Sequence, residues 1–212
     1  MTLKTYALTT VARFVSYAEL TNLTAAQETV LEILVNQATE FIENYCDRRF
    51  QQTAYTNEVY DGDGGSTINL RQYPVASGET FGLDVRSSAE NEDDWDDIDS
   101  DDYFVQYDEG IIELPDGRFF HNAPRRYRVT YTAGFDFDNS ATFLSDTEAG
   151  DVEYACWLLL QVQWNKRKGD PSVISEKIGD YSVTYRKAAM ENSQVMEILD
   201  KYARISYGGN RT

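Results

Sequence analysis

The amino-acid sequence predicts an α+β protein: a small helical bundle with an inserted antiparallel β unit and a C-terminal hairpin plus helix. Two long segments, residues 24–50 and 146–168, repeat apolar side chains at steps of three and four, the spacing of amphipathic helices. Between them, from about residue 52 to 133, apolar side chains alternate with period two and turn residues interrupt the pattern, as in antiparallel strands. We therefore expect three segments: N-terminal helices of the bundle (1–50), a strongly acidic β insertion (51–135), and the second long helix, hairpin and C-terminal helix (136–212).

The N-terminal segment is predicted to contain a short helix over residues 8–20, capped by Thr9 or Thr10, and then one long helix. Thr24 and Gln27 match a capping box at the start of the long helix. It is expected to run to residue 50, with the cations near its end placed favourably at the negative end of the helix dipole. Its predicted buried face comprises Leu31, Leu34, Ala38, Phe41 and Tyr45, widened by Ile33, Val35 and Ile42.

The β insertion is predicted to begin with a hairpin. Residues 55–60 alternate, the sequence Asp61–Gly65 turns the chain, and residues 66–71 return it. A short strand is expected over 80–86, and a strand pair over 103–107 and 111–114. The final strand covers 126–132, with Tyr127, Val129 and Tyr131 on one face.

The second long helix is predicted to start with a capping box of Ser145 and Glu148 and to stop at the cations and glycine of residues 166–169. A hairpin over residues 173–186 and a last helix over 190–205 complete the bundle. The expected buried positions of the long helix are Val152, Ala155, Cys156, Leu159 and Leu160, and those of the last helix are Val195, Met196, Leu199 and Tyr202.

The formal charge of −17 is concentrated in the middle of the chain, where residues 51–150 carry 22 acids and 6 bases. This balance argues against tight binding to a nucleic-acid backbone, which needs clustered Lys and Arg. Residues 90–102 hold nine acids, and we interpret them as a solvated loop that Trp95 and Ile98 pin to the sheet. The candidates for an acidic surface or lumen are Asp93, Asp94, Asp96, Asp97, Asp99, Asp101 and Asp102.

The sequence predicts no catalytic residue, no metal and no cofactor. The single histidine, His121, lies in a predicted loop, and the glycine-rich turn at residues 61–65 lacks the acidic twelfth position of an EF-hand, because Gln72 is there. Cys46 and Cys156 are expected to be buried thiols rather than a disulfide. No signal peptide or membrane-spanning run is recognisable, so we expect an intracellular soluble protein.

Several segments, in their order, carry a family resemblance. They are IENYCDRRF (residues 42–50), YTNEVYDGDGG (55–65), LRQYPV (70–75), DDYFVQYDEGIIELP (101–115), YRVTYTAGF (127–135) and SEKIGDYSVTY (175–185). This order resembles the head–tail connector, or adaptor, proteins of long-tailed phages and related viruses or gene-transfer particles, over most of the chain.

The resemblance implies a structural role in the virion neck, after assembly in the host cytoplasm. Such adaptors form a dodecameric ring below the portal, extend the DNA channel and contact the next neck ring (a stopper or head-completion protein) or the tail. The DNA passes without specific binding, and no membrane is involved. By this analogy the portal-docking candidates are Ser175, Tyr181, Tyr185, Arg186 and Tyr202.

Two alternatives stay open at this point. The acidic middle of the chain suits a channel lumen that does not hold DNA, but it also suits adaptation to a high-salt cytoplasm. The alternative function is a non-enzymatic protein-binding module whose β insertion recognises a partner.

Overall fold

The computed structural model describes residues 2–87, 94–168 and 192–203. Within these ranges the chain has four helices and seven strands, which confirms the predicted α+β class. It divides into two compact units. The helical unit comprises residues 1–50 and 136–212, and the β unit comprises residues 51–135.

The helical unit contains α1 (Val11–Tyr17), α2 (Ala25–Cys46), α3 (Gly150–Lys168) and α4 (Ser193–Tyr202). The two long helices α2 and α3 pack against each other, as predicted, and α4 packs against both. Thr10 caps α1, and Thr24 with Gln27 forms the predicted capping box at the start of α2. These caps satisfy N–H groups that have no partner within the first turn.

The buried face of α2 lies slightly to one side of the predicted one. Five of its apolar side chains are completely buried, whereas Phe41 and Tyr45 are only half-buried. The prediction included the two aromatic residues on this face. The positions that are completely buried carry smaller side chains and lie on the adjacent line of the helix. The completely buried side chains are Leu31, Val35, Ala38, Ile42 and Cys46.

The end of α2 also differs from the prediction. The helix ends at Cys46, and Asp47 adopts a left-handed conformation with φ of 52°. Asp is one of the few non-glycine residues that enter this region at modest cost, so it can terminate a helix. Arg48 and Arg49 therefore lie just beyond the last turn, and the predicted extension of the helix to residue 50 was wrong.

The start of α3 falls at Gly150, later than predicted, after a 3₁₀ turn over Leu144–Asp146. Ser145 and Glu148 do not form a capping box, because the Ser145 N–H donates instead to the buried carboxylate of Glu153 at 3.1 Å. The five predicted core positions of α3 are nevertheless all buried. In α4, Val195, Leu199 and Tyr202 are buried and Met196 is half-buried.

Other predictions for the end of the chain fall outside the described residues. They are the stop of α3 at Gly169, the hairpin over residues 173–186 and the outer ends of the last helix.

The β unit contains two antiparallel sheets. The larger has the order β1 (Thr53–Gly62), β7 (Ala123–Ala133), β3 (Gly82–Arg86), β4 (Trp95–Asp97). The smaller has the order β2 (Thr67–Asn69), β6 (Ile111–Glu113), β5 (Phe104–Gln106). The predicted pairing of β5 with β6 is confirmed.

A single core joins the two sheets of the β unit. Tyr127, Val129 and Tyr131 all point into this core from one face of β7, as the alternation predicted. Leu83 of β3 and Ile112 of β6 are completely buried in the same cluster. Alternation along each strand thus puts one face in the core and leaves the other for solvent.

The predicted first hairpin is wrong. β1 pairs along its length with β7, and β2 pairs with β6 in the other sheet. At the end of β1, Gly62 pairs with Ala123. A Cβ atom at Gly62 would lie 1.9 Å from the carbonyl oxygen of His121, which precedes β7. The glycine-rich turn therefore moves the chain from one sheet to the other instead of folding it back onto β1.

Candidate interaction surfaces

The described part of the acidic run, residues 94–102, contains regular structure that was not predicted. Instead of a solvated loop, Trp95–Asp97 form the edge strand β4, which pairs with β3. Two guanidinium groups lie over the Trp95 ring, whose centroid is 5.0 Å from Arg86 Cζ and 4.8 Å from Arg128 Cζ. Such cation–π contacts are attractive and use the apolar face of the ring. The prediction that Trp95 pins this segment to the sheet is confirmed.

Ile98 anchors the other end of β4. Its N–H donates to the carbonyl oxygen of Leu83 at 2.8 Å, and its side chain packs against the β-unit core. The six described candidates for an acidic surface, Asp94, Asp96, Asp97, Asp99, Asp101 and Asp102, are all exposed, and Asp93 lies outside the described residues. A row of carboxylates along a sheet edge discourages pairing with a further strand.

One carboxylate of the β unit is held inside a hydrogen-bond network. Glu58 accepts from the hydroxyl of Tyr131 at 2.7 Å and from the hydroxyl of Tyr60, and it pairs with Arg71 at 3.0 Å. Burial by itself would raise the pKa of Glu58, but these hydrogen bonds and the Arg71 charge outweigh it and lower the pKa. Burial, with the neighbouring carboxylate, raises the pKa of both tyrosines. The network therefore stabilises the charged form of Glu58.

Exposed aromatic side chains form a second feature of the β unit, which the sequence analysis missed. Phe104 is 61% exposed, Phe119 66% and Tyr107 41%; no other large hydrophobic residue in the described ranges is classed as exposed. The strand alternation contained a signal, because Phe104 lies between the inward-facing Tyr103 and Val105. Residues of this kind on a surface are typical of contacts with another protein.

Two acidic residues of the helical unit, Glu43 and Glu153, are buried and have structural roles. The completely buried Glu153 pairs with Arg13, whose Nε lies 2.7 Å from Oε1 and whose Nη2 lies 3.0 Å from Oε2. It also accepts from the Thr9 hydroxyl at 2.7 Å and from the Ser145 N–H. A buried carboxylate needs such partners to offset the loss of its hydration. Glu153 thereby connects α3 to the N-terminal segment and to the 3₁₀ turn that holds Ser145. The indole N–H of Trp157 completes the network by donating to Thr9 at 2.8 Å.

Glu43 plays a similar part near the end of α2. It is paired with Arg49 and accepts from the Phe50 N–H at 3.4 Å. Burial is the main cause that raises the pKa of Glu43, against the opposing attraction of Arg49. The Arg49 guanidinium also lies over the Tyr6 ring at 4.6 Å, so this group holds the N-terminal segment against the end of the helix.

Of the portal-docking candidates, only Tyr202 lies in the described residues. It is 8% exposed, and its hydroxyl donates to Asp151 at 2.5 Å and lies 3.1 Å from the carbonyl oxygen of Glu148. Its ring meets Phe50 edge-on at 5.8 Å. Tyr202 thus packs within the helical unit, while Ser175, Tyr181, Tyr185 and Arg186 lie outside the described residues.

Metal-binding clusters and membrane-spanning helices are both absent from the described ranges. Those ranges hold no group of three or more His, Cys, Asp or Glu residues arranged to bind a metal ion. No helix within them has the length and apolar character to cross a membrane. His121 is exposed, and only its backbone N–H is engaged, by the hydroxyl of Tyr127 at 2.7 Å. The glycine-rich turn is held by Asp63, whose carboxylate accepts from the Gly65 N–H at 2.7 Å.

Comparison with known proteins gives a family and a fold. The family model described as "Head completion protein" matches residues 7–205, which is most of the chain. A search of curated proteins found no match.

Three similar solved structures come from gene transfer agent (GTA) particles. They are the neck of an empty particle with C6 symmetry (17% identity, TM-score 0.58), the neck of a native particle with C12 symmetry (18%, 0.55) and the virion of a native particle (18%, 0.52). Each covers 100% of this chain and 97% of the other. At these identities the likeness shows a shared fold.

Proposed function

The chain belongs to the head completion protein family, and on that premise we propose that it acts as a head–tail adaptor, one subunit of a ring below the portal. It is a structural protein of the virion neck, the region that joins head to tail. We propose further that the ring extends the DNA channel and that its work involves no enzymatic step. The observation that carries the proposal is the family match over residues 7–205.

The fold supports a ring oligomer. The similar chains belong to necks solved with six-fold and twelve-fold symmetry, and the match extends over the whole of this chain. Twelve copies is our proposal for the ring. In a closed ring each subunit contacts one neighbour through one surface and the other neighbour through a different surface.

The charge distribution supports passage of DNA without binding. The described carboxylates from Asp94 to Asp102 are exposed, and the β unit as a whole carries 18 acids and 6 bases. A surface of this charge repels the phosphate backbone. We propose that these carboxylates line the channel; a ring structure in which they lie on the outer rim would refute this and favour adaptation to salt.

The partners we propose are the portal on one side and the next neck ring or the tail on the other. Residues 175–186 remain the proposed portal-docking segment. Tyr202, the other portal-docking candidate, offers little surface to a partner, because it is 8% exposed and its hydroxyl is engaged within the helical unit.

The test is assembly with the portal. The purified protein, alone and mixed with its cognate portal, is examined by native mass spectrometry and negative-stain electron microscopy. We expect a ring of this chain, either free or seated on the portal. A monomer that remains a monomer in the presence of portal would contradict the proposal.

A further inference from the structure

The exposed aromatic residues of the β unit offer an interaction surface that the adaptor role does not by itself specify. Phe104 and Phe119 are each more than 60% exposed in a chain whose other large apolar side chains, within the described ranges, are mostly buried. Contact between water and two phenyl rings is unfavourable, because burying apolar surface lowers the free energy. A partner that covers the two rings removes that cost.

An ion pair connects the two segments of the chain that carry these rings. Phe119 follows Arg118, and the Arg118 guanidinium donates to both the carboxylate and the backbone oxygen of Asp102, at 2.9 and 2.7 Å. Asp102 is only two residues before Phe104. This ion pair fixes the backbone of residue 118 beside the strand that carries Phe104, so we define Phe104, Phe119 and the Arg118–Asp102 pair as the aromatic patch.

The surroundings of the aromatic patch are acidic. Residues 99–119 contain seven acids and one base, and that base, Arg118, is already paired with Asp102. Phe104 faces Glu113 across the β5–β6 pair, and Asp101 and Asp116 near the two rings are exposed. An apolar centre with a negative rim complements an apolar segment that is flanked by Lys or Arg.

The net charge of a second copy of the chain does not favour it as the occupant. The helical unit carries 18 acids and 13 bases, and the β unit 18 acids and 6 bases, so both are net negative. Two aromatic patches cannot meet across a ring interface either, because neighbours in a ring of more than two copies use different surfaces. We therefore infer, building on the proposed adaptor function, that the aromatic patch docks a different neck protein through an apolar segment flanked by basic residues.

The first experiment compares variants during particle assembly in cells that lack the native gene. The double variant Phe104→Ser/Phe119→Ser is expected to form the ring and bind portal as the wild type does, but to lower the yield of joined particles at least tenfold, as loss of aromatic anchors at an interface does. Tyr107→Ser is the matched control, since it removes another exposed aromatic residue from the same region, and its yield should be unchanged. A joined-particle yield equal to wild type for the double variant would overturn the inference.

The second experiment identifies the occupant. A photo-crosslinking p-benzoylphenylalanine at position 104 is carried into assembled particles, and the crosslinked peptides are sequenced by mass spectrometry. We expect a peptide from another protein in which Lys or Arg flanks apolar residues. A crosslink only to another copy of this chain, a peptide without basic flanks, or no crosslink in particles that contain the variant would each refute the inference.

Failure of the adaptor proposal is distinguishable in both experiments. If the wild-type protein neither forms a ring nor enters particles, the proposed function fails. If the wild type assembles and only the aromatic patch proves dispensable, the function stands and the inference falls.

Discussion

The helical unit and the β unit carry the same number of acidic residues, 18 each, yet among the described residues only the helical unit has buried ones. In the helical unit, Glu43 and Glu153 are buried and paired with arginine, and each holds distant segments together. In the β unit the described carboxylates of the acidic run are exposed, and the half-buried Glu58 and Asp84 pair with Arg71 and Arg128. The comparison teaches that composition alone cannot separate a structural carboxylate from one that sets surface charge; burial and partners decide.

The largest effect should come from removing the buried charge of the helical unit. Glu153→Ala leaves Arg13 without its carboxylate and removes an acceptor from Thr9 and Ser145. We expect the free energy of unfolding to fall by about 4 kcal/mol, as for a broken buried ion pair. Chemical denaturation followed by fluorescence measures it, with the exposed Glu197→Gln as the control. A loss below about 1 kcal/mol would show that Glu153 is not a tether.

A steric change should affect the β unit almost as strongly. Gly62→Ala places a Cβ atom 1.9 Å from the carbonyl oxygen of His121, where only backbone movement can relieve the overlap. We expect a loss of about 3 kcal/mol, at the upper end of the range for overpacking. Gly82→Ala in β3 is the matched control, because nothing lies within 4 Å of its Cβ position. Equal stability of the two variants would argue against the close approach of β1 and β7.

A moderate, pH-dependent effect should follow from the network around Glu58. Tyr131→Phe removes the hydroxyl that donates to Glu58 and should cost about 1–2 kcal/mol near neutral pH. Because the folded pKa of Glu58 is lowered from its usual 4.5, this carboxylate stabilises the fold above pH 4.5, and the contribution is lost as pH falls through the folded pKa. The difference between variant and wild type should therefore shrink on acidification.

Unfolding titrations between neutral pH and the acid range measure this difference. Tyr107→Phe, at an exposed position, serves as the control. A difference that grows as the pH falls would contradict the assignment.

The smallest effect on stability is expected for the exposed carboxylates. The triple variant Asp96→Asn/Asp97→Asn/Asp99→Asn should change the free energy of unfolding by less than about 0.5 kcal/mol, as surface substitutions usually do. Its predicted effect is on charge, with increased retention of double-stranded DNA at low salt that disappears at high salt. Gel-shift titrations of the assembled ring measure this, and unchanged retention would count against a lumenal position.

Patterns of local periodicity allowed much of the helical unit to be predicted. Thr24 and Gln27 correctly marked the start of α2, and the buried positions of α3 followed from their spacing. One error lay where a group beyond the first turn intervenes: the Ser145 N–H donates to Glu153 instead of forming part of a cap for α3. A buried carboxylate that competes for a backbone N–H leaves no trace in a local pattern.

Strand pairing was harder to predict than strand position. The alternation of Tyr127, Val129 and Tyr131 correctly gave the core face of β7. However, the partner of β1 lies more than 60 residues later in the chain, and a glycine-rich turn resembles a hairpin whether or not the flanking strands pair. The outward position of Phe104 could be read from alternation, whereas its proximity to residue 118 depends on an ion pair that only the fold brings together.

The two cysteines lie in the helical unit, on α2 and α3, and both are free and buried. Burial raises the pKa of Cys46 to about 12 and also raises that of Cys156, so neither readily forms the thiolate that oxidants attack. A neck protein is made inside a reducing cell and then persists outside it in air. Because both thiols are buried, we expect them to stay reduced after the particle leaves the cell. The covalent structure of this neck protein should therefore be the same during assembly and in the finished particle.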